Sequence, residues 1–175
     1  MTRMQSRVDA DGAGRLSSEL AFPAGPDGAF QLVTCLVVDL AESSAVLERL
    51  GEGRVEASRH VYLTLLRNAL AARHGRERSR RDDRVVVAFD APTDAVGCAV
   101  AVMRAAERHS RRQAGRLDLR IGIQLGEADE SAITSERGEL IAQPAIQAGQ
   151  LCDAAEGGQI LVSGLVSALT HADPS

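Results

Sequence analysis

One segment constrains the fold of this chain more than any other: the continuous apolar run from Leu32 to Val38, which is rich in β-branched residues. A run of this length and composition is typical of a strand that is buried on both faces. The run ends at Asp39, so a carboxylate directly follows the apolar residues. We therefore predict the central strand of a sheet with an acidic residue at its carboxyl end.

Helical and strand patterns alternate along the rest of the chain. The predicted elements are helices at 45–50 and 55–73, a very polar segment at 76–84, a strand at 85–89, a helix at 94–112, a strand at 117–124, a hairpin-like region to 141, a helix at 144–155, a strand at 159–162 and a helix from 164. This order predicts an α/β (α+β) fold in which helices cover the sheet mainly on one face.

The first 29 residues differ in composition from the remainder, because they are rich in Gly, Ala, Asp, Ser and Arg and contain Pro23 and Pro26. Such a composition is typical of a flexible leader. We expect a leader at 1–29 and one domain at 30–175.

Charge and residue usage limit the partners of the domain. The net charge is -4, which does not favour a broad basic face for nucleic acid. All of the 20 Lys and Arg residues are Arg, which is typical of a high-GC genome, so no lysine is available for a phosphate or a purine. No apolar run approaches the roughly 18 residues of a membrane span. Cys35, Cys98 and Cys152 have apolar neighbours, which indicates buried free thiols in a reducing cytoplasm.

Two acidic residues occupy positions that suit a metal site. Asp39 follows the central strand, and Asp83 lies in a polar turn just before the strand at 85–89. If these strands are neighbours, the two carboxylates can hold Mg²⁺ or Mn²⁺ with positions open for phosphate oxygens. The alternative, which spacing alone favours, is that Asp39 caps a helix and Asp83 is a surface turn residue.

Four sequence blocks add a resemblance to a known family. The blocks are Val38 to Ser44, His74-Gly75 with Asp82 to Phe89, Arg120 to Glu127, and Ala154 to Ser163. In order and spacing they resemble the D-L-x-G-[FS]-T, H-G…G-D-G-x-x-x-x-F, R-I-G-I-H-T-G-E and A-x-x-G-Q-I-L-V-S blocks of class III adenylate and guanylate cyclases. On these blocks the chain is identified as a divergent, actinobacterial-like member of the cyclase homology domains.

The resemblance implies a ferredoxin-like βαββαβ core and a head-to-tail dimer, either a homodimer or a heterodimer with another cyclase-type chain. It also implies a purine nucleoside triphosphate bound between protomers and a Mg or Mn cofactor. Domains of this family usually continue for another strand or two. We therefore expect this chain to lack those strands and to be a fragment of a longer regulator.

The resemblance also assigns roles to individual positions. One protomer supplies the metal aspartates, and the other supplies the purine-reading residues and a transition-state Asn and Arg. The matching positions are Asp39 and Asp83 for the metal, Leu40, Glu42, Ser43 and Ser44 for the phosphate loop, Ser79 and Glu139 for the purine, and Ile146 and Gln150 for the Asn and Arg.

Several of these positions depart from the chemistry that the family uses. Ile146 cannot hydrogen-bond a ribose, and Gln150 cannot supply the positive charge whose loss typically costs orders of magnitude in rate. Glu42 replaces a glycine and would repel a triphosphate. Asp82 replaces the first glycine of the Gly-Asp-Gly turn, a change that aspartate tolerates. Arg84 replaces the second and is harder to place.

These departures favour a divergent cyclase-like domain that is catalytically impaired and acts as a dimerising regulatory domain or binds nucleotide or metal. A homodimer could not restore the missing groups, because both copies lack them. Three alternatives remain. The first is the metal-donating half of a heterodimer, and the second is a weakly active homodimeric adenylate cyclase that uses Arg80 or Arg81 to convert ATP to cyclic AMP and pyrophosphate. The last alternative is an unrelated interaction module, in which Asp39 and Asp83 would point apart.

Overall fold

The computed structural model describes residues 3–6, 30–41, 52–112, 117–129 and 142–171 of the chain. The elements in these ranges are β1 (Arg3–Ser6), β2 (Gln31–Leu40), α1 (Glu52–Ala71), β3 (Arg76–Arg81), β4 (Arg84–Phe89), α2 (Pro92–Arg112), β5 (Leu119–Ala128), α3 (Gln143–Ala154), β6 (Gln159–Val162) and α4 (Gly164–His171).

The strands form one mixed sheet in the order β1-β6-β5-β2-β4-β3. Strand β2 lies between β5 and β4 and is antiparallel to both. Strand β6 joins β5 in parallel, and β1 joins β6 in parallel. The segment β2-α1-β3-β4-α2-β5, with the spatial order β5-β2-β4-β3, has the predicted βαββαβ arrangement. The predicted α+β fold class is therefore confirmed.

One face of the sheet carries the larger hydrophobic core, which we call the thick face. Alternate residues of β2 and β4 point to it, because side chains alternate between faces along a strand. Helices α1, α2 and α4 cover it, and its largest fully buried side chains include Tyr62, Phe89, Leu66 and Met103. Burial of side chains of this size stabilises the fold by about 1.5–3 kcal/mol each.

The opposite face, which we call the thin face, is covered by α3 alone among the described helices. Its buried residues are small, for example Cys35, Ala88 and Ala148. A Cβ at Gly122 of β5 would collide with the Ala148 carbonyl oxygen and the Cys152 amide nitrogen. A Cβ at Gly126 would lie 3.1 Å from Pro144 Cγ. Helix α3 can therefore lie directly on the β5 backbone only because these positions are glycines.

The β3–β4 hairpin turns through two residues, since Arg81 pairs with Arg84. Asp82 has φ 52°, in the left-handed region that aspartate adopts more readily than most residues. The observed backbone therefore tolerates aspartate at position 82, as predicted.

Several predicted boundaries differ from the observed ones. The polar segment 76–84 contains a strand, β3, whose pattern is set by pairing with β4 and not by apolar alternation. Strand β5 continues to Ala128, beyond the predicted end at Gln124. Strand β1 lies inside the predicted leader at 1–29. The predicted helix at 45–50 and most of the hairpin-like region before Ile141 lie outside the described residues.

All three cysteines are buried and outside any disulfide, as predicted. In the described part of the chain, every helix is too short or too polar to cross a membrane.

Candidate functional site

The strand register aligns three charged residues across the thin face. Asp39 on β2 pairs with Arg120 on β5. On its other side, Asp39 lies one position beyond the Val38–Val85 pair, opposite Arg84 of β4. Directly opposed residues in a sheet share a face. The register therefore places one carboxylate between two arginines.

Hydrogen bonds join this row to α3. Asp39 Oδ2 accepts a hydrogen bond from Arg120 Nη2 at 2.8 Å and from Arg84 Nη2 at 3.2 Å. The same Arg84 Nη2 also donates to Asp153 Oδ1 of α3, and Arg84 Nη1 lies 3.5 Å from Asp153 Oδ2. Arg120 Nη2 is 3.9 Å from Asp153 Oδ1. We call Asp39, Arg84, Arg120 and Asp153 the Arg–Asp cluster; its formal charges balance.

Burial differs among the members of the cluster. The Asp39 side chain is only 13% exposed, whereas the two arginine side chains are about 30% exposed and Asp153 is 55% exposed. Partial burial by itself lowers the pKa of Arg84, but the hydrogen bond to Asp153 and the charges of Asp153 and Asp39 outweigh it and raise the pKa overall. Arg84 therefore stays charged.

Cys152 lies beside the cluster on α3, and its Sγ donates to the Arg120 carbonyl oxygen at 3.4 Å. Burial raises the pKa of this thiol to about 12, although nearby Arg84 opposes the shift. Mg²⁺ and Mn²⁺ prefer oxygen ligands, so this thiol is not suited to hold them.

Asp83 has a different partner. Arg59 of α1 donates to it through Nε, to Oδ1, and through Nη2, to Oδ2 at 3.3 Å. The hydrogen bond to Asp83 is the main cause of a raised pKa at Arg59. Helix α1 covers the thick face, so Asp83 and Asp39 pair with arginines from opposite faces of the sheet. The structure brings the two aspartates to the same end of the sheet without giving them a shared partner among these contacts.

The residues at this end do not fit a divalent metal as they are arranged. Mg²⁺ and Mn²⁺ require several oxygen ligands. No group of three or more His, Cys, Asp and Glu residues in the described ranges could hold a metal ion. Asp39 Oδ2 already contacts two guanidinium groups, which would repel a dication placed beside it.

The remaining predicted site residues are spread over several elements. Leu40 is buried in the thick-face core. Ser79 is half-buried on β3, opposite Val86. Ile146 is half-buried and Gln150 exposed, one helical turn apart on α3. Glu42, Ser43, Ser44 and Glu139 lie outside the described residues.

Sequence reasoning did not find the partners of the two aspartates. Arg59, Arg120 and Asp153 are remote from Asp39 and Asp83 along the chain, so only the register and helix packing reveal them. One signal was available at Arg84, because a charged residue lies directly beside Asp83 where the resemblance expects a turn glycine.

The solved structures that match this chain share one fold. No family model matches the chain, and no curated protein matches it either. Among solved structures, an adenylate/guanylate cyclase/hydrolase from Silicibacter pomeroyi is 26% identical, with a TM-score of 0.71 and 83% of each chain covered. The guanylyl cyclase Cya2 is 21% identical, with a TM-score of 0.71, over 82% of this chain and 80% of that chain.

The adenylyl cyclase CyaB from P. aeruginosa is similar to the same degree, with 20% identity, a TM-score of 0.71 and 83% of each chain covered. These matches extend over most of the chain. The solved structures that this chain resembles are class III adenylate/guanylate cyclase catalytic domains, and the chain has their fold.

Proposed function

We propose that this chain is a class III nucleotide cyclase-like domain that does not cyclise nucleotides by itself and acts as a dimerising regulatory domain. One observation carries the proposal: the Asp39 carboxylate is held by Arg84 and Arg120. A carboxylate in two charge-assisted ion pairs has its charge balanced within the chain, which makes it less available to bind a catalytic metal ion.

The α3 helix supports the same proposal. The transition state of nucleotide cyclisation gains negative charge at the phosphate and requires a fixed cation there. The position that the resemblance assigns to that cation is Gln150, which is neutral, and the position of its partner is Ile146, which is apolar. A second copy would bring the same residues and would restore neither group.

The Arg–Asp cluster has a structural role in this proposal. It joins β4, β2 and β5 to α3 through charge-assisted hydrogen bonds, which are stronger than neutral ones. The thin face is therefore held in one arrangement. We expect this fixed face to meet a second cyclase-type chain, with a purine nucleotide as the class of small ligand to test between them.

The activity test uses the purified chain with ATP or GTP and with Mg²⁺ or Mn²⁺. We expect neither cyclic nucleotide nor pyrophosphate above the level given by Asp39→Ala. The matched control is Asp90→Ala, which removes an exposed carboxylate at the other end of β4. Product formed by the wild type and by Asp90→Ala, but not by Asp39→Ala, would overturn the proposal.

The assembly test is sedimentation velocity over a range of protein concentrations, with and without ATP or GTP. We expect a concentration-dependent dimer. A monomer at every concentration, alone and with a second cyclase-type chain, would count against a dimerising role. Product that forms only in the mixture would instead assign the chain to half of a heterodimeric enzyme.

A further inference from the structure

The geometry around Arg84 resembles that of a bound cation. Its Nη2 atom alone contacts carboxylates from two separate elements, Asp39 Oδ2 on β2 and Asp153 Oδ1 on α3. Two carboxylate oxygens that converge on one positive centre form the kind of arrangement that proteins use for hard cations. Here the positive centre belongs to the chain.

We propose that Arg84 serves as a built-in cation at this end of the sheet, in the place where the resemblance expects a divalent metal ion. The guanidinium supplies the positive charge that Asp39 needs and ties Asp153 to the sheet. The wild-type site is then complete without metal. The inference rests on the proposed function, because the role of Arg84 explains why a domain that does not cyclise nucleotides needs no metal ion at this site.

The balance of charge supports this role. Asp39 and Asp153 contribute two negative charges, and Arg84 and Arg120 contribute two positive charges. The cluster therefore offers a dication no net negative charge. The two arginines, which already lie within 4.0 Å of the carboxylates, would repel it. Among the described residues, Arg120 Nε is buried without a hydrogen-bond partner, so the cluster holds a donor that has no acceptor.

The local backbone explains why arginine can take this place. Position 84 is the first residue of β4 and lies directly after the two-residue turn. The left-handed backbone conformation falls on Asp82, not on position 84. A residue with a side chain is therefore accommodated at position 84, and the strand register directs that side chain towards Asp39.

The test compares variants that differ in the net charge of the cluster. It measures the binding of Mn²⁺ without nucleotide, by electron paramagnetic resonance of the free ion and by calorimetry. Arg84→Gln leaves the cluster with one surplus negative charge, and Arg84→Gln combined with Arg120→Gln leaves two. We expect no binding by the wild type and an affinity that rises roughly tenfold or more for each positive charge removed. Mn²⁺ should raise the Tm of the variants and leave that of the wild type unchanged.

Further variants assign the binding to this site. Adding Asp39→Asn or Asp153→Asn to the double variant should abolish the binding of Mn²⁺, whereas adding Asp83→Asn should not. The matched control is Arg76→Gln, which removes an arginine paired with Asp90 at the opposite end of the same hairpin and should gain no binding. Circular dichroism checks that each variant is folded, and Arg84→Gly is the replacement if Arg84→Gln is not.

Two results would overturn the inference: wild-type binding of Mn²⁺ that Asp153→Asn removes, or a folded double variant that gains no affinity. Neither result depends on turnover. Cyclic nucleotide formed by the wild type would overturn the proposed function instead, so the failures of the two proposals are distinguishable.

Discussion

The thick and thin faces of the sheet are built from the same strands but differ in what covers them. On the thick face, large side chains from α1, α2 and α4 fill the core. On the thin face, α3 lies directly on the β5 backbone, the buried residues are small, and the charged cluster is placed at one end. This difference indicates that the thick face contributes most of the stability and the thin face contributes most of the site chemistry. Substitutions on the two faces should therefore have separable effects.

The largest effect is expected on the thick face. Phe89 is fully buried there, and Phe89→Ala should lower the free energy of unfolding by about 3–5 kcal/mol, because it removes apolar burial and leaves a cavity. Urea unfolding followed by circular dichroism measures it. Leu32→Ala is the control, since Leu32 is 61% exposed and its loss should change little. Similar values for the two variants would contradict the comparison.

On the thin face, Gly122→Ala should cost about 1–3 kcal/mol, because overpacking forces α3 away from β5. The added methyl group would meet backbone atoms of α3, which cannot move aside as a side chain can. Gly53→Ala is the matched control in open space on a helix and should stabilise the chain by about 0.5–1 kcal/mol. Alkylation of Cys152 should become faster in Gly122→Ala but not in Gly53→Ala. An unchanged alkylation rate in Gly122→Ala would count against close packing of α3.

Within the Arg–Asp cluster, Asp39→Asn should lower stability by about 1–3 kcal/mol, because two arginines lose the negative charge that they share. The cost is smaller than for a fully buried ion pair, since both arginines are partly in water. Combining Asp39→Asn with Arg84→Gln should recover part of the loss. A double-mutant cycle measures this coupling, and strictly additive losses would argue against the cluster.

The buried thiols give a pH dependence on both faces. Burial raises the pKa of Cys98, on the thick face, to about 11 and that of Cys152, on the thin face, to about 12. A thiol whose pKa is raised by folding is favoured in the folded state below its unfolded pKa, and this stability is lost as the pH rises. We expect the free energy of unfolding to fall between about pH 9 and 12, by roughly 1.5 kcal/mol per thiol at pH 10. Urea titrations of Cys98→Ala and Cys152→Ala should each give a flatter profile.

The smallest effect is expected at the exposed end of the β3–β4 hairpin. Arg76 donates to both oxygens of Asp90 at 2.6 and 3.1 Å, but the Asp90 side chain is 80% exposed. Arg76→Gln should therefore cost less than about 1 kcal/mol. The hydrogen bond from Arg76 lowers the pKa of Asp90, so this small contribution is present at neutral pH and is lost as the pH falls through that pKa. Carboxyl titration by NMR should show the pKa rising in the variant.

Much of the fold could be predicted because its core follows simple patterns. The β2 run and the apolar stripes of α1 and α2 predict their elements, and the structure places them as expected. Strand β3 could not be predicted in the same way, since Arg76–Arg81 has no apolar alternation and gains its conformation from pairing with β4.

The site was less predictable for a geometric reason. Position along the chain indicated that Asp39 and Asp83 would approach the same end of the sheet if their strands were neighbours, and β2 does pair with β4. The identity of their partners depends on which strand lies on the far side of Asp39 and on which helix covers each face. Strand order and helix packing bring Asp153, Arg120 and Arg59 next to the aspartates, and no local sequence pattern predicts these contacts.

The arginines of β3 also limit how two copies of this chain can meet. Strand β3 forms one end of the strand order, and Arg80 and Arg81 on it are exposed. If two copies joined there to continue the sheet, the four arginines among the six residues of β3 would be brought close to those of the other copy. The strand therefore disfavours growth of the sheet from molecule to molecule at the β3 edge.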